Sequence, residues 1–168
     1  AQAHGVTIGV VVDIDTSMGR AGIRDVETGI TLAKLATEMP GIEFRGVMSH
    51  QALPDKPDKE TRIIEGRRFI QMCLDVKDAI EAIGIPVEIV STGETWTYDV
   101  AAGIPGVTEV EGGTYALMSH QYDYMEEFQF AVKILGTIIS TPRPGVSIGD
   151  VGTRALASPR GMMPKVDG

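Results

Sequence analysis

A single cysteine in 168 residues, Cys73, excludes an internal disulfide and a cysteine-rich zinc centre. No histidine is near it in sequence, so Cys73 reads as a helix core residue and not as a nucleophile. No apolar run approaches the roughly 20 residues of a spanning helix, and nothing resembles a signal peptide. Basic residues are also scarce. Fifteen Lys and Arg against 23 Asp and Glu leave a net charge of −8. That balance excludes nucleic acid and an anionic membrane surface as main partners, since both demand a basic face. A reducing cytoplasm is the default compartment.

What is present is an ordinary globular mixture, 43% apolar and 23% charged. Thr7–Ile14 is β-branched and nearly continuous in apolarity, the pattern of a strand buried on both faces of a parallel sheet. Val26, Ile30, Leu32, Ala33, Leu35 and Ala36 mark a helix from Asp25 to Met39, stopped by Pro40-Gly41. Phe44–Ser49 predicts a second strand. Asp58 caps a long helix whose buried stripe is Ile63, Ile70, Cys73, Leu74, Ile80 and Ile83. Val87–Val90 and Val107–Val110 predict two more strands, joined by a short connection through Asp99–Pro105. Gly41-Ile42 and Gly84-Ile85 open two similar units about forty residues apart. Strands alternating with helices through short loops imply a parallel sheet, either a barrel or a doubly wound one. The barrel is favoured because a polar or glycine-rich cluster follows every strand. Towards the C-terminus the pattern changes: Lys133–Ile139, the turn Pro142–Gly145 and Val146–Val151 read as antiparallel strands, with a helix ending near Phe128. The expected fold is α/β: a partial (β/α)8 barrel over residues 1–128, then the start of an antiparallel β-domain over 129–168.

Two of the post-strand clusters, Ser91–Thr97 and Glu111–Tyr115, are rich in Gly, Ser and Thr. Exposed N–H groups and short hydroxyls of that kind suit a phosphate dianion, though ordinary turns share the composition. Asp13 and Asp15 share a strand face, which is weak support for a hydrolase, because no second acid–base partner is placed by sequence.

Four segments in order resemble the D-threonine aldolase and D-serine dehydratase family, pyridoxal-phosphate enzymes of the alanine racemase-like fold. They are Val11 through Arg20-Ala21-Gly22, Ile89–Thr95, Thr108–Met118 followed by Tyr122, and Ile139–Gly145 with Asp150–Leu156. The resemblance implies that Arg20 faces the pyridine ring or a substrate carboxylate; a salt bridge to Asp13 or Asp15 is the plainer alternative. It implies that Ser91, Thr92, Gly93, Thr95, Gly113 and Thr114 surround the phosphate, that His50 contacts the ring, and that Tyr122 closes over the site, a structural aromatic being the alternative for Tyr122. The implied activity is aldol cleavage or dehydration of a D-β-hydroxy-amino acid, assisted by a divalent metal.

Departures from the family pattern are specific. His50 stands where the family carries a ring-contacting tyrosine, and Glu94 where it keeps a small residue. None of the six lysines (34, 56, 59, 77, 133 and 165) ends a parallel strand, so the Schiff-base lysine is expected elsewhere, as are the metal ligands. The chain therefore reads as part of a longer polypeptide, paired with its remainder or with a second copy. A non-catalytic phosphate-compound-binding or interaction domain and an alanine racemase-type isomerase are the alternatives.

Overall fold

A computed structural model describes residues 1–52, 58–152, 155 and 166. Residues 53–57, including Lys56, and much of the C-terminal tail, including Lys165, lie outside the described residues. The chain forms two compact units, residues 1–114 and 115–168.

In the first unit β1 (Ile8–Asp13), α1 (Val26–Glu38), β2 (Ile42–Ser49), α2 (Lys59–Ala82), β3 (Ile89–Thr92) and α3 (Tyr98–Ala102) follow one another. The three strands are parallel and lie in the sheet in chain order, β1-β2-β3. That is the progression of a (β/α) barrel wall. Both long helices start where an aspartate can hold an orphan N–H. The Asp25 side chain accepts from Thr28 N at 2.7 Å, and that of Asp58 from Thr61 N at 2.7 Å. Val12, Val47 and Val90 from the strands meet Ala33, Ile70, Cys73 and Ile80 from the helices in one core. Burial pushes the Cys73 thiol up to about 12.

The sheet contains one forced irregularity. Val10 pairs with Phe44 but Val11 pairs with Gly46, leaving Arg45 as an extra residue bulged out of the β1–β2 ladder. Its guanidinium turns outward to Glu88, with Nε at 2.7 Å and Nη2 at 2.8 Å from the carboxylate. The next residue, Gly46, sits so close to β3 that a Cβ there would lie 1.9 Å from the Ile89 carbonyl oxygen. Only glycine fits.

Several boundaries differ from those read in the sequence. The third strand is Ile89–Thr92 and not Val87–Val90. It runs on through two polar residues because the Thr92 hydroxyl meets Ser49 Oγ at 2.7 Å inside the sheet. The fourth strand, Val107–Val110, is reduced to one bridge between Ser91 and Glu109. There the Thr108 hydroxyl, at 2.8 Å, takes the Val90 N–H that a strand carbonyl would otherwise accept. The connection through Asp99–Pro105 contains the short helix α3. Lys59 opens α2, away from any strand end. Strand β1 is exposed over its first residues, not buried on both faces. Leu32, Leu35 and Ile83 are exposed as well, because α1 buries the narrower face of Gly29, Ala33 and Ala36, and Ile83 falls at the C-cap of α2.

In the second unit β4 (Ile138–Arg143) and β5 (Val146–Gly149) form an antiparallel hairpin. Pro144 and Gly145, the latter with φ 76°, make the turn between Arg143 and Val146, as a Pro-Gly pair can. No helix ends at Phe128, and residues 133–137 are not strand, because the four-residue β5 offers them no ladder. Among the described residues no helix is long and apolar enough to cross a membrane.

Candidate functional site

The C-terminal ends of β1, β2 and β3 fall together, with Asp13 opposite Met48 and Ser49 opposite Thr92. The loop after β1 folds back on itself. Asp15 N donates to Ile23 O and Ile23 N to Asp13 O, each at 2.9 Å. Gly22, at φ 98°, is required at the crossing, since a Cβ would come within 2.6 Å of Asp15 N. The Asp15 carboxylate organises the loop, accepting from Gly19 N at 2.9 Å and pairing with Arg24 at 3.1 Å. Of the two bridges open to Arg20 on sequence, the one to Asp15 is thus taken by Arg24. Arg20 is exposed, and its charge acts on His50 and Glu94. The Ala52 N–H, bonded to Ser17 Oγ at 2.9 Å, ties this loop to the one after β2.

The segment after β3 is unusual in composition for its burial. Every residue from Ser91 to Thr97 is buried, although four of the seven carry a hydroxyl and one a carboxylate. Its hydroxyls close on one another. Thr92 Oγ1 meets Ser49 Oγ and accepts from Gln51 Nε2 at 2.9 Å. Thr97 Oγ1 donates to Gln51 Oε1 at 3.2 Å and accepts from Glu94 N at 2.9 Å. Beneath this network Arg62, buried on α2, donates to Trp96 O at 2.8 Å and grips the Asp99 carboxylate at 2.6 and 3.0 Å. A buried polar group left unpaired costs about 1–3 kcal/mol, so this mutual satisfaction is what lets a polar loop enter the interior. Gln51, Thr97, Arg62 and Asp99 were not singled out from the sequence as parts of this loop's support. Their signal, a single arginine on an otherwise apolar helix stripe, is too common to be specific.

At the mouth of the site the His50 Nδ1 is in direct contact with the Glu94 carboxylate. Burial pushes the Glu94 carboxyl up to about 7, helped by the charge of Glu111 and opposed by the Thr95 N–H and Arg20. Burial, then Arg20, lowers His50, while Glu111 and Asp13 act against that shift. Ser91 Oγ donates to Glu111 Oε1 at 2.5 Å. A raised carboxyl has a stability consequence. Between its ordinary 4.5 and about 7 the folded chain holds a proton that the unfolded chain has lost. The stabilisation from this proton is complete below 4.5 and disappears as pH rises through 7; lowered His50 contributes the opposite slope just below 6.5. Glu94→Gln should therefore gain on the wild type by about 2 kcal/mol between pH 4.5 and pH 8. Urea titrations at the two pH values measure it, and an unchanged difference would remove Glu94 from the interior.

Two loops were expected to surround a phosphate, and their geometries differ. Between Ser91 and Thr97 the side chains already have protein partners, a Cβ on Gly93 would lie 2.7 Å from the Ala101 Cβ, and the Glu94 carboxylate stands in the loop itself. Gly113 is exposed, with nothing within 4 Å of the place a Cβ would take. The 112–114 loop has room for a ligand against its backbone, and the 91–97 loop is a wall. Thr114 ends the first unit; Tyr122 lies in the second, in a short 3-10 turn. Among the described residues no group of three His, Cys, Asp or Glu side chains could hold a metal ion.

Residues 1–120 match the family described as alanine racemase, N-terminal domain. The chain is 29% identical over 96% of its length to a 3-hydroxy-D-aspartate aldolase of Paracoccus denitrificans strain Pd 1222, covering 45% of that protein. It is 30% identical over 94% of its length to a D-threo-3-hydroxyaspartate dehydratase of Delftia sp. strain HT23, covering 43% of it. The fold is that of the D-threonine aldolase from Filomicrobium marinum, with a TM-score of 0.79 and 23% identity over 91% of this chain and 42% of that one. The chain thus spans less than half the length of the curated relatives it matches. It belongs to the alanine racemase N-terminal domain family and carries part of that family's (β/α) barrel, followed by a small antiparallel sheet.

Proposed function

We propose that this chain is the cofactor-facing part of a pyridoxal-phosphate-dependent lyase acting on a D-β-hydroxy-amino acid, by aldol cleavage or dehydration. One observation carries the reading: the polar clusters converge at the C-terminal ends of consecutive parallel strands, where barrel enzymes hold their sites, in a chain whose relatives are named as such aldolases and dehydratases. The cofactor, when bound, would supply an electron sink for breaking a bond at Cα or Cβ of the amino acid.

The residues present fit that group unevenly, and the fit assigns their roles. Gly113 and Thr114 receive the phosphate on backbone N–H groups, and Arg20, whose charge reaches His50 and Glu94, is the cation on the β1 side. Ser91, Thr92, Gly93 and Thr95 form the wall that fixes the distance between that loop and His50, their side chains being buried. His50 meets the ring edge. The attachment lysine and the metal ligands belong to other parts of the polypeptide. Lys34 and Lys77 lie on helices, the latter paired with Asp78 and Glu81, and neither stands at a strand end. In domain terms residues 1–128 serve as barrel and 129–168 as the opening of the β-domain. A small D-amino acid as substrate, a homodimer and a cytoplasmic location complete the reading.

Gly113→Val in the full-length enzyme tests it. The position is open, so folding should be unaffected while pyridoxal-phosphate affinity falls roughly 10- to 100-fold, equivalent to one or two lost hydrogen bonds to a charged group. Equilibrium dialysis and thermal melts of the cofactor-free protein, side by side, measure the two. Undiminished affinity would reject the loop assignment, and failure of the wild type to cleave or dehydrate D-β-hydroxy-amino acids would reject the activity.

A further inference from the structure

The structure brings His50 and Glu94 into contact at the mouth of the site. They come from different strands, His50 just past β2 and Glu94 just past β3, so their meeting is a product of the β2–β3 register and not of local sequence. Their environments are unequal. Glu94 has a side chain 11% exposed, whereas that of His50 is 34% exposed. The imidazole therefore has one nitrogen, Nδ1, turned into the protein against a buried carboxylate. Its other nitrogen, Nε2, is on the opposite side of the ring and has no hydrogen-bond partner among the described residues.

We propose that His50 and Glu94 are a single proton-carrying couple at the mouth of the site: Glu94 positions the ring through Nδ1, and Nε2 exchanges a proton with a hydroxyl of the bound substrate. The exchange is a plain transfer. The substrate O–H bond breaks, an Nε2–H bond forms, and the imidazolium produced is stabilised by the Glu94 carboxylate beside it. In the reverse sense Nε2–H protonates a departing hydroxyl. A carboxylate behind an imidazole fixes the ring's tautomer and orientation and favours the charged form during transfer. Charged groups reach the couple from every loop around it: Asp13 and Arg20 from the β1 side, Glu111 from the segment beyond β3, and the Thr95 N–H on Glu94 itself. Three carboxylates against one guanidinium give a site that holds a proton readily. Burial is the first cause of both shifts, raising Glu94 to about 7 and lowering His50, so both groups are held towards their neutral forms until a proton moves.

The substrate side of this inference rests on the lyase reading; the couple itself does not, and the experiment separates them. In the 168-residue chain, nitrogen-15 spectra of His50 should show the Nδ1–H tautomer above neutrality. Its titration should have two steps, the upper near pH 7, and Glu94→Gln should leave only one. A one-step titration identical in both proteins, or an Nε2–H tautomer, would overturn the couple whatever the enzyme does. In the full-length enzyme, His50→Gln should lower kcat about 100-fold with KM little changed, and added imidazole should restore part of the loss. Wild-type turnover with an intact two-step titration and no loss in His50→Gln would overturn the catalytic role. Absence of wild-type turnover would count against the lyase reading alone, since the titration needs neither cofactor nor substrate.

Discussion

Gly46→Ala should separate β2 from β3 and cost more than about 4 kcal/mol, at the extreme of single-residue effects. The methyl group would stand 1.9 Å from the Ile89 carbonyl oxygen and 2.7 Å from its carbon, both backbone atoms in the paired strand. Neither can move without breaking the ladder from Gly46–Ile89 to Ser49–Thr92, which also carries the Ser49–Thr92 hydroxyl contact. Gly9→Ala is the control. Its added carbon meets only Arg45 Cγ at 3.1 Å, a flexible side chain that can shift, so its cost should stay below about 1 kcal/mol. Denaturant midpoints of the two variants give the comparison. Near-equal values would mean that β3 is not held against β2 at this register.

Asp99→Asn carries the second large effect. It takes from the Arg62 guanidinium, whose side chain is 5% exposed, the Asp99 carboxylate that it grips. Breaking a buried pair from one side costs about 3–5 kcal/mol. The Asp99 side chain is 43% exposed, so water screens part of that, and a loss of about 2–3 kcal/mol is expected. Arg62→Met should cost less despite removing the larger group. It takes the buried charge away and fills much of the space, while the Trp96 carbonyl loses this donor and the half-exposed Asp99 carboxylate turns to water. Urea unfolding that ranked Arg62→Met as the worse of the two would show that the arginine acts by packing and not as a paired charge.

Both predictions concern what the sequence displays poorly. The alternation of strands and helices was legible because it rests on local rules: Asp25 and Asp58 sit where caps are needed, and Pro40-Gly41 stops a helix regardless of context. The path of the chain beyond Val90 was not. Ser91, Thr92, Thr95 and Thr97 look like an exposed phosphate loop in one dimension. They are buried: Ser49 and Gln51, more than forty residues away, complete the hydrogen bonds of Thr92 and Thr97, and Glu111 accepts from Ser91. Leu32 and Leu35 read as core for the opposite reason, since helical spacing reports that a face is apolar and not whether anything covers it. For the site, sequence flagged His50 and Glu94 as separate oddities; only the parallel register shows that one sits against the other.

Cys73 gives the molecule an internal clock. Its thiol is fully buried in the core between α2 and the sheet, and with a pKa near 12 almost none of it is thiolate at neutral pH. A thiol reagent in solution can thus reach it only when the helix lifts from the strands. As no second cysteine competes, the rate of labelling counts those openings directly. Read as a function of cofactor or substrate concentration, the same label would report how far an occupant of the strand ends steadies the wall behind them.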